Sequence, residues 1–216
     1  MKSVVVTGGT TRLGQAIAER LRADGWRVLT SSHRTDAGAD IVADLAEPMG
    51  PARLYAAAMD LLGGQPPDAL VNNAALYVGD EAAIEAIGFV APKKLTMLMA
   101  GRETVGRGCV VNILDTRVLK ATSEATAYTR AKAALLAYTR DSAETFADTL
   151  RVNGVAPGPV LAPTQVHEKA GALLVDRPTA EDVAAAVAYL LAAKATTGCV
   201  IPVDGGQSLL AREEAE

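Results

Sequence analysis

Tyr128 and Lys132 stand four residues apart in a stretch rich in alanine and leucine. That spacing sets both side chains on one face of a helix, within reach of each other. A phenol with a pKa of about 10 transfers protons poorly near neutrality. A neighbouring ammonium stabilises the phenolate and draws the phenol toward the working range. The pair therefore has the chemistry of a general acid, although Tyr-x-x-x-Lys also arises as an ordinary solvated helix pair.

A second candidate lies near the first residue, where a run of valines leads into Thr7-Gly8-Gly9-Thr10-Thr11-Arg12-Leu13-Gly14 and then a helical pattern. In a strand-turn-helix context, glycines let backbone N–H groups approach a pyrophosphate. The alternative is a plain turn in which Gly14 serves close packing. After the next strand-like run stands Ser31-Ser32-His33-Arg34-Thr35, with no acidic residue before Asp36. A ribose 2′-hydroxyl calls for a carboxylate at that place, whereas a 2′-phosphate calls for cations and hydroxyl donors. Ser32, His33 and Arg34, joined by Arg12 from the first turn, favour NADPH over NADH; a solvated loop is the competing reading.

These residues need elements to position them. Short β-branched runs alternate with longer Ala- and Leu-rich stretches, the order required by a parallel sheet with crossover helices. Strands are expected over 3–6, 27–30, 40–42, 69–71, 108–113, 151–155 and 199–203. Helices are expected over 12–23, 51–62, 81–103, 124–148 and 179–192, with Pro92 limiting or kinking the third. No repeat, low-complexity tract or Gly/Ser linker divides the chain, so residues 1–216 read as one α/β, doubly wound Rossmann-type domain with a mostly parallel sheet of about seven strands. Ligands of such sheets bind outside the carboxyl ends of the strands.

Composition narrows the function further. The 216 residues are 50% hydrophobic and 21% charged, with a formal net charge of -4, a balance that offers no footprint for nucleic acid or anionic lipid. The longest apolar run, 183–193, is too short to cross a bilayer, and the opening valines are too few for a signal peptide. A cytoplasmic location is expected. Cys109 and Cys199 stand apart without metal-ligand spacing and read as packed thiols, and no metal site is expected.

From Val4 to Val203-Asp204-Gly205-Gly206 the chain resembles the short-chain dehydrogenase/reductase family. The family's glycine turn is matched at Thr7, Gly8 and Gly14, with Arg12 in place of the middle glycine. The resemblance implies cofactor contacts at Gly8, Thr11, Arg12, Leu13 and Gly14. It also implies adenine contacts at Asp44 and Leu45, although Asp44 equally suits a helix cap. Asn72-Asn73-Ala74 and the Arg151-Val152-Asn153 stretch running into Pro157-Gly158-Pro159-Val160 are further family features. They bring Asn73, Ala74, Pro157, Gly158 and Val160 to the cofactor, with the Val160 backbone meeting the nicotinamide carboxamide. Tyr128 and Lys132 become catalytic, and Lys132 also reaches the cofactor ribose.

The departures point to a substrate. Thirteen residues before Tyr128, where most of the family holds a catalytic serine, stands Asp115. Together with Arg12, His33 and Arg34, this resembles the pteridine reductases and the dihydromonapterin/dihydrofolate reductases, and Tyr77 matches the aromatic that stacks on the pterin there. Taken alone, Asp115 also suits a turn cap and Tyr77 an exposed aromatic. The resemblance implies a pterin between Tyr77 and the nicotinamide, with Tyr128 as proton donor assisted by Asp115 and Lys132. Gly88 replaces the asparagine often found four residues before Pro92, which puts the family's water-linked relay in question. The short segments 73–92 and 161–178 suggest an open or small site, and His167 in the second is expected to be exposed. Reduction of another carbonyl or imine, and NADPH binding without turnover, stay open as alternatives. Ala133, Ala134, Ala137 and Ala143 on the long helix allow close helix approach, and the resemblance implies a homotetramer, or else a homodimer, built on such helices.

Overall fold

The computed structural model describes residues 1–101, 108–120, 126–160, 173–174 and 177–210. His167 and most of the 161–178 segment lie outside them. Seven strands form one parallel sheet in the order β3-β2-β1-β4-β5-β6-β7: β1 Ser3–Thr7, β2 Arg27–Ser32, β3 Ile41–Val42, β4 Ala69–Asn72, β5 Gly108–Ile113, β6 Leu150–Pro157 and β7 Val200–Val203. Strand order reverses between β1 and β4, which opens a crevice at their carboxyl ends.

The valine run of β1 is continuous because both faces of this strand are covered. Val4 and Val6 pack with Ile17 and Leu21 of α1 (Arg12–Ala23) and with Val187 and Leu190 of α6 (Ala180–Ala192). Val5 faces the other way, toward Leu54 of α2 (Gly50–Leu61) and Leu95 and Met99 of α4 (Ala91–Ala100). α6 begins with a reciprocal cap in which Thr179 and Asp182 satisfy each other's backbone N–H.

The single helix expected over 81–103 is not what forms. α3 (Glu81–Glu85) passes into a π-helical turn at Ala86–Val90, where the Ala91 N–H donates to the Ala86 carbonyl, and α4 then ends at Ala100. Pro92 has no N–H for the carbonyl four residues back, so the break comes ahead of the proline as an expanded turn rather than at it as a kink. A Cβ at Gly88 would lie 3.1 Å from the Ala131 Cβ, so this position lets the π turn press against α5 (Ala127–Thr145). α5 is shorter at its last turn than the expected 124–148, because Phe146 and the residues after it turn back to begin β6.

Candidate active site

The carboxyl ends of the strands surround a cleft of about 930 Å³, lined by residues from the β1–α1 turn to the first turns of α5. At one end Gly8 adopts φ +62, and a Cβ on Gly14 would fall 2.1 Å from the Gly8 carbonyl oxygen. Gly14 therefore requires glycine, and the left-handed backbone at Gly8 favours it. Asn73 closes the turn from the neighbouring strand: its Nδ2 donates to the Thr7 and Gly8 carbonyls at 2.9 and 3.2 Å. The Thr7 hydroxyl accepts from the Asn73 and Ala74 backbone N–H groups at 2.9 and 3.0 Å. Arg12 is exposed and holds φ +49, the left-handed conformation for which a glycine is suited. Thr11 caps α1 without a side-chain hydrogen bond, and no acidic residue occupies the first turn. The helix start thus presents backbone donors and positive dipole to the cleft.

Ser32, His33 and Arg34 line the cleft at the end of β2, with His33 and Arg34 exposed. The Ser32 hydroxyl accepts from the Arg34 N–H at 3.0 Å, and the Arg34 guanidinium pairs with Asp36 at 2.7 Å. Asp44 and Leu45 lie on the same wall. The Asp44 carboxylate accepts from the Ala46 N–H at 2.8 Å and so also serves the turn ahead of α2. Pro157, Gly158 and Val160 line the opposite wall, with Gly158 packed 2.9 Å, measured from the position of its absent Cβ, from the Asp204 backbone.

Asp115 follows β5 and its first backbone step is extended, which turns its side chain back to cap the 3-10 turn Thr116–Leu119. The carboxylate accepts the Tyr128 hydroxyl at 3.1 Å. Arg117 was not singled out from the sequence, yet it grips the same carboxylate through Nε and Nη2, each at 3.0 Å, and donates from Nη1 to the Tyr77 hydroxyl at 3.0 Å. Its guanidinium stands 5.1 Å from the Tyr77 ring centroid and 5.3 Å from that of Tyr128, and the two rings meet edge-to-face at 5.0 Å. An Asp-x-Arg spacing at the carboxyl end of a strand was the available signal. Thr116, between them, is buried and donates to Asp204 of the segment after β7 at 2.5 Å, which ties this strap down.

Lys132 is buried, and its ammonium donates to the Ile113 carbonyl at 2.6 Å. It stands 5.8 Å from the Tyr128 ring centroid rather than on the hydroxyl. Burial pulls its pKa down to about 8, with the Asp115 charge opposing. The Tyr128 phenol is pushed up from its ordinary value, first by burial and then by the Asp115 charge, with Arg117 opposing. The expected depression by Lys132 is therefore not what dominates here: burial weighs most, the Asp115 carboxylate contacts the hydroxyl, and the ammonium bonds the Ile113 carbonyl instead. The arrangement keeps a proton on Tyr128.

Residues 80–208 match the family model described as enoyl-(acyl carrier protein) reductase. A 3beta-hydroxysteroid dehydrogenase 1 from Eggerthella lenta is 30% identical, over 96% of this chain and 94% of its own. The chain belongs to the short-chain dehydrogenase/reductase family. This short-chain dehydrogenase/reductase is also similar to pteridine reductase 1 of Leishmania tarentolae, at 28% identity over 95% of this chain and 96% of that one. Among solved structures it matches FolM alternative dihydrofolate reductase 1 from Brucella canis, complexed with NADP, with a TM-score of 0.87 and 31% identity, covering 99% of this chain and 96% of that one. The shared parallel sheet and flanking helices make the fold that of this oxidoreductase family. No helix among the described residues is long and apolar enough to cross a membrane.

Proposed function

We propose that the chain is an NADPH-dependent reductase that delivers a hydride to a C=N bond of a pterin-type substrate. The observation that carries this reading is the contact of the Tyr128 hydroxyl with the Asp115 carboxylate, beneath the exposed Tyr77 ring. Reduction of a carbonyl and of a ring C=N each take one hydride at carbon and one proton at the heteroatom, so it is the surroundings of the donor that bear on the substrate. A ring C=N needs a proton at nitrogen as hydride reaches carbon, and a phenol in contact with a carboxylate is suited to give one and be resupplied.

The residues present suit the dinucleotide. The glycine turn and the uncapped start of α1 offer backbone donors to a pyrophosphate. Arg12, Ser32, His33 and Arg34 offer cations and a hydroxyl to a 2′-phosphate. The cleft of about 930 Å³ stands at the upper end of ordinary ligand pockets and leaves room for a substrate beside the cofactor. Asp44, Leu45, Asn73, Ala74, Pro157, Gly158 and Val160 would complete its walls. When bound, the nicotinamide supplies the hydride.

The chain's own groups supply the rest. Tyr128 holds its proton and donates it to the ring nitrogen. The Asp115 carboxylate orients that hydroxyl, and after transfer the phenol regains its proton from solvent in the cleft. Lys132 places a cation beside the phenol's ring face, and Arg117 opposes the build-up of negative charge on the Asp115–Tyr128 pair. Tyr77 offers an aromatic face to a flat heterocycle.

The test is oxidation of NADPH, followed by its nicotinamide absorbance, with dihydrobiopterin, dihydromonapterin and dihydrofolate, each repeated with NADH. The expected result is turnover of at least one dihydropterin with NADPH and little with NADH. No oxidation with any of the three, alongside turnover of a simple ketone or cyclic imine, would overturn the pterin assignment.

A further inference from the structure

The Asp115 carboxylate is already fully engaged. Oδ1 accepts from the Arg117 backbone N–H at 2.9 Å and from Nε at 3.0 Å, and Oδ2 accepts from Nη2 at 3.0 Å and from the Tyr128 hydroxyl at 3.1 Å. The Nε and Nη2 bonds form a fork of two parallel donors from one planar group. That group also lies near the faces of two tyrosine rings, 5.1 and 5.3 Å from their centroids, and is anchored to one of them at the Tyr77 hydroxyl. The side chain is 42% exposed, against 14% for Asp115, so the fork sits at the mouth of the slot and not in the core. Nothing else pins the guanidinium among the described residues: its bonds run only to Asp115 and to Tyr77, which is itself exposed.

A carboxylate whose two-donor partner lies near two aromatic rings marks a recognition site for a flat cation carrying two parallel N–H donors. We infer that the Asp115–Tyr77–Tyr128 slot binds planar guanidinium- or amidinium-type ligands, and that the Arg117 guanidinium is its built-in occupant, which such a ligand displaces. The inference rests on the reading above only in taking the slot as part of the substrate site. Arg117 then acts as a specificity residue. A ligand that offers a lone acceptor gains nothing by expelling it, whereas one that offers the same fork replaces each bond it breaks. The Asp115 side of the pair is only 14% exposed and the pair is two-donor, so only a ligand that replaces both bonds can expel the arginine, whose own half-exposed side chain solvent re-hydrates once it swings out.

Calorimetric titration of the full chain with phenylguanidine, and with the neutral phenylurea as control, tests this. Wild type should bind phenylguanidine more tightly than phenylurea. R117A, which keeps the backbone N–H bond to Asp115, should bind phenylguanidine about fivefold more tightly than wild type, or ~1 kcal/mol. The double variant D115N/R117A should lose that gain. R117Q, which has no guanidinium fork but keeps part of the stem, carries the same expected gain should R117A fold poorly. Unchanged or weaker binding in both Arg117 variants would overturn the inference and make Arg117 a positioning residue for Asp115. The two readings separate cleanly. Dihydropterin turnover by wild type without a gain in the Arg117 variants removes the slot assignment alone. The expected gain without dihydropterin turnover removes the pterin substrate alone.

Discussion

Arg151 and Lys132 are both buried cations, and they are partnered in opposite ways. Arg151 reaches from β6 to the end of α6, where Nη1 donates to the Leu190, Ala193 and Thr196 carbonyls and Nη2 to that of Leu191, at 2.8 to 3.2 Å. Those carbonyls belong to the last turn of the helix and the chain just beyond it, which lack partners within the helix, so one guanidinium satisfies them and meets the negative end of the dipole. Lys132 carries three donors, and among the described residues one hydrogen bond is present, to Ile113. A buried charge with its donors filled by backbone is scaffold. A buried charge with a single backbone bond, on the wall of a cleft, is where the proposed function places a ligand-facing cation.

The largest effect expected on the ligand side of this contrast is at Tyr128. Tyr128→Phe removes the donor while leaving the ring against Tyr77, and kcat with a dihydropterin should fall by a factor on the order of 100 to 10,000, with little change in the unfolding midpoint. Stopped-flow and denaturant unfolding measure the two. A variant that kept full turnover would remove Tyr128 from the proton step.

On the scaffold side, Arg151→Met should do the reverse. It leaves buried carbonyls at the end of α6 without donors, and stability should drop by about 2–4 kcal/mol by urea unfolding. The fraction that stays folded should keep its cofactor affinity and its kcat. A selective loss of turnover at unchanged stability would erase the distinction between the two cations.

Lys132→Met sharpens the contrast through pH. The folded-state pKa of about 8 lies below the ordinary 10.5, so the unfolded chain binds the proton more tightly and the buried ammonium lowers stability at neutral pH. Between about 8 and 10.5 the unfolded state carries more protons at this site, so wild-type stability gains from Lys132 as pH rises through that window. Cys109 works against this, because burial raises its thiol from 9.0 to about 11. The informative quantity is therefore the difference between variant and wild type. Lys132→Met should be more stable by ~1 kcal/mol near neutrality, with the difference shrinking toward pH 10. A constant difference would mean that the ammonium is as well solvated folded as unfolded. Turnover should fall at every pH.

Much of the architecture was legible because it is written in patterns of fixed period. The valines of β1 alternate between two covered faces, Gly14 occupies a position no larger residue could take, and Gly8 one whose left-handed backbone favours glycine. The candidate site was legible where its residues share one element, as Tyr128 and Lys132 do on α5, or mark a strand end, as Asp115 does. Two features escaped for physical reasons. The π turn at Ala86–Val90 follows from a missing N–H at Pro92 together with room beside Gly88, and the second is a tertiary fact. Arg117 reaches Asp115 only because the backbone leaves the strand at Asp115 and enters a 3-10 turn, which folds position i+2 back onto position i. The direction of the Tyr128 shift escaped for a related reason. A sequence spacing tells which charges are near, but burial and actual contact decide which one wins.

The smallest effect separates two roles that one residue holds together. Arg12 adopts φ +49, a conformation costing a non-glycine residue on the order of 1 kcal/mol. Arg12→Gly removes that strain, while the more flexible unfolded glycine takes part of the gain back. The net change in stability should be a gain of a few tenths of a kcal/mol, up to about 1. If the side chain meets a 2′-phosphate, the same variant weakens NADPH binding about tenfold, ~1.4 kcal/mol, and leaves NADH binding unchanged. Fluorescence titration with both dinucleotides decides between the roles. Equal weakening of the two would mean that Arg12 shapes the pyrophosphate turn through its backbone. A selective loss for NADPH would mean that the chain tolerates a strained turn in order to keep a cation at that place.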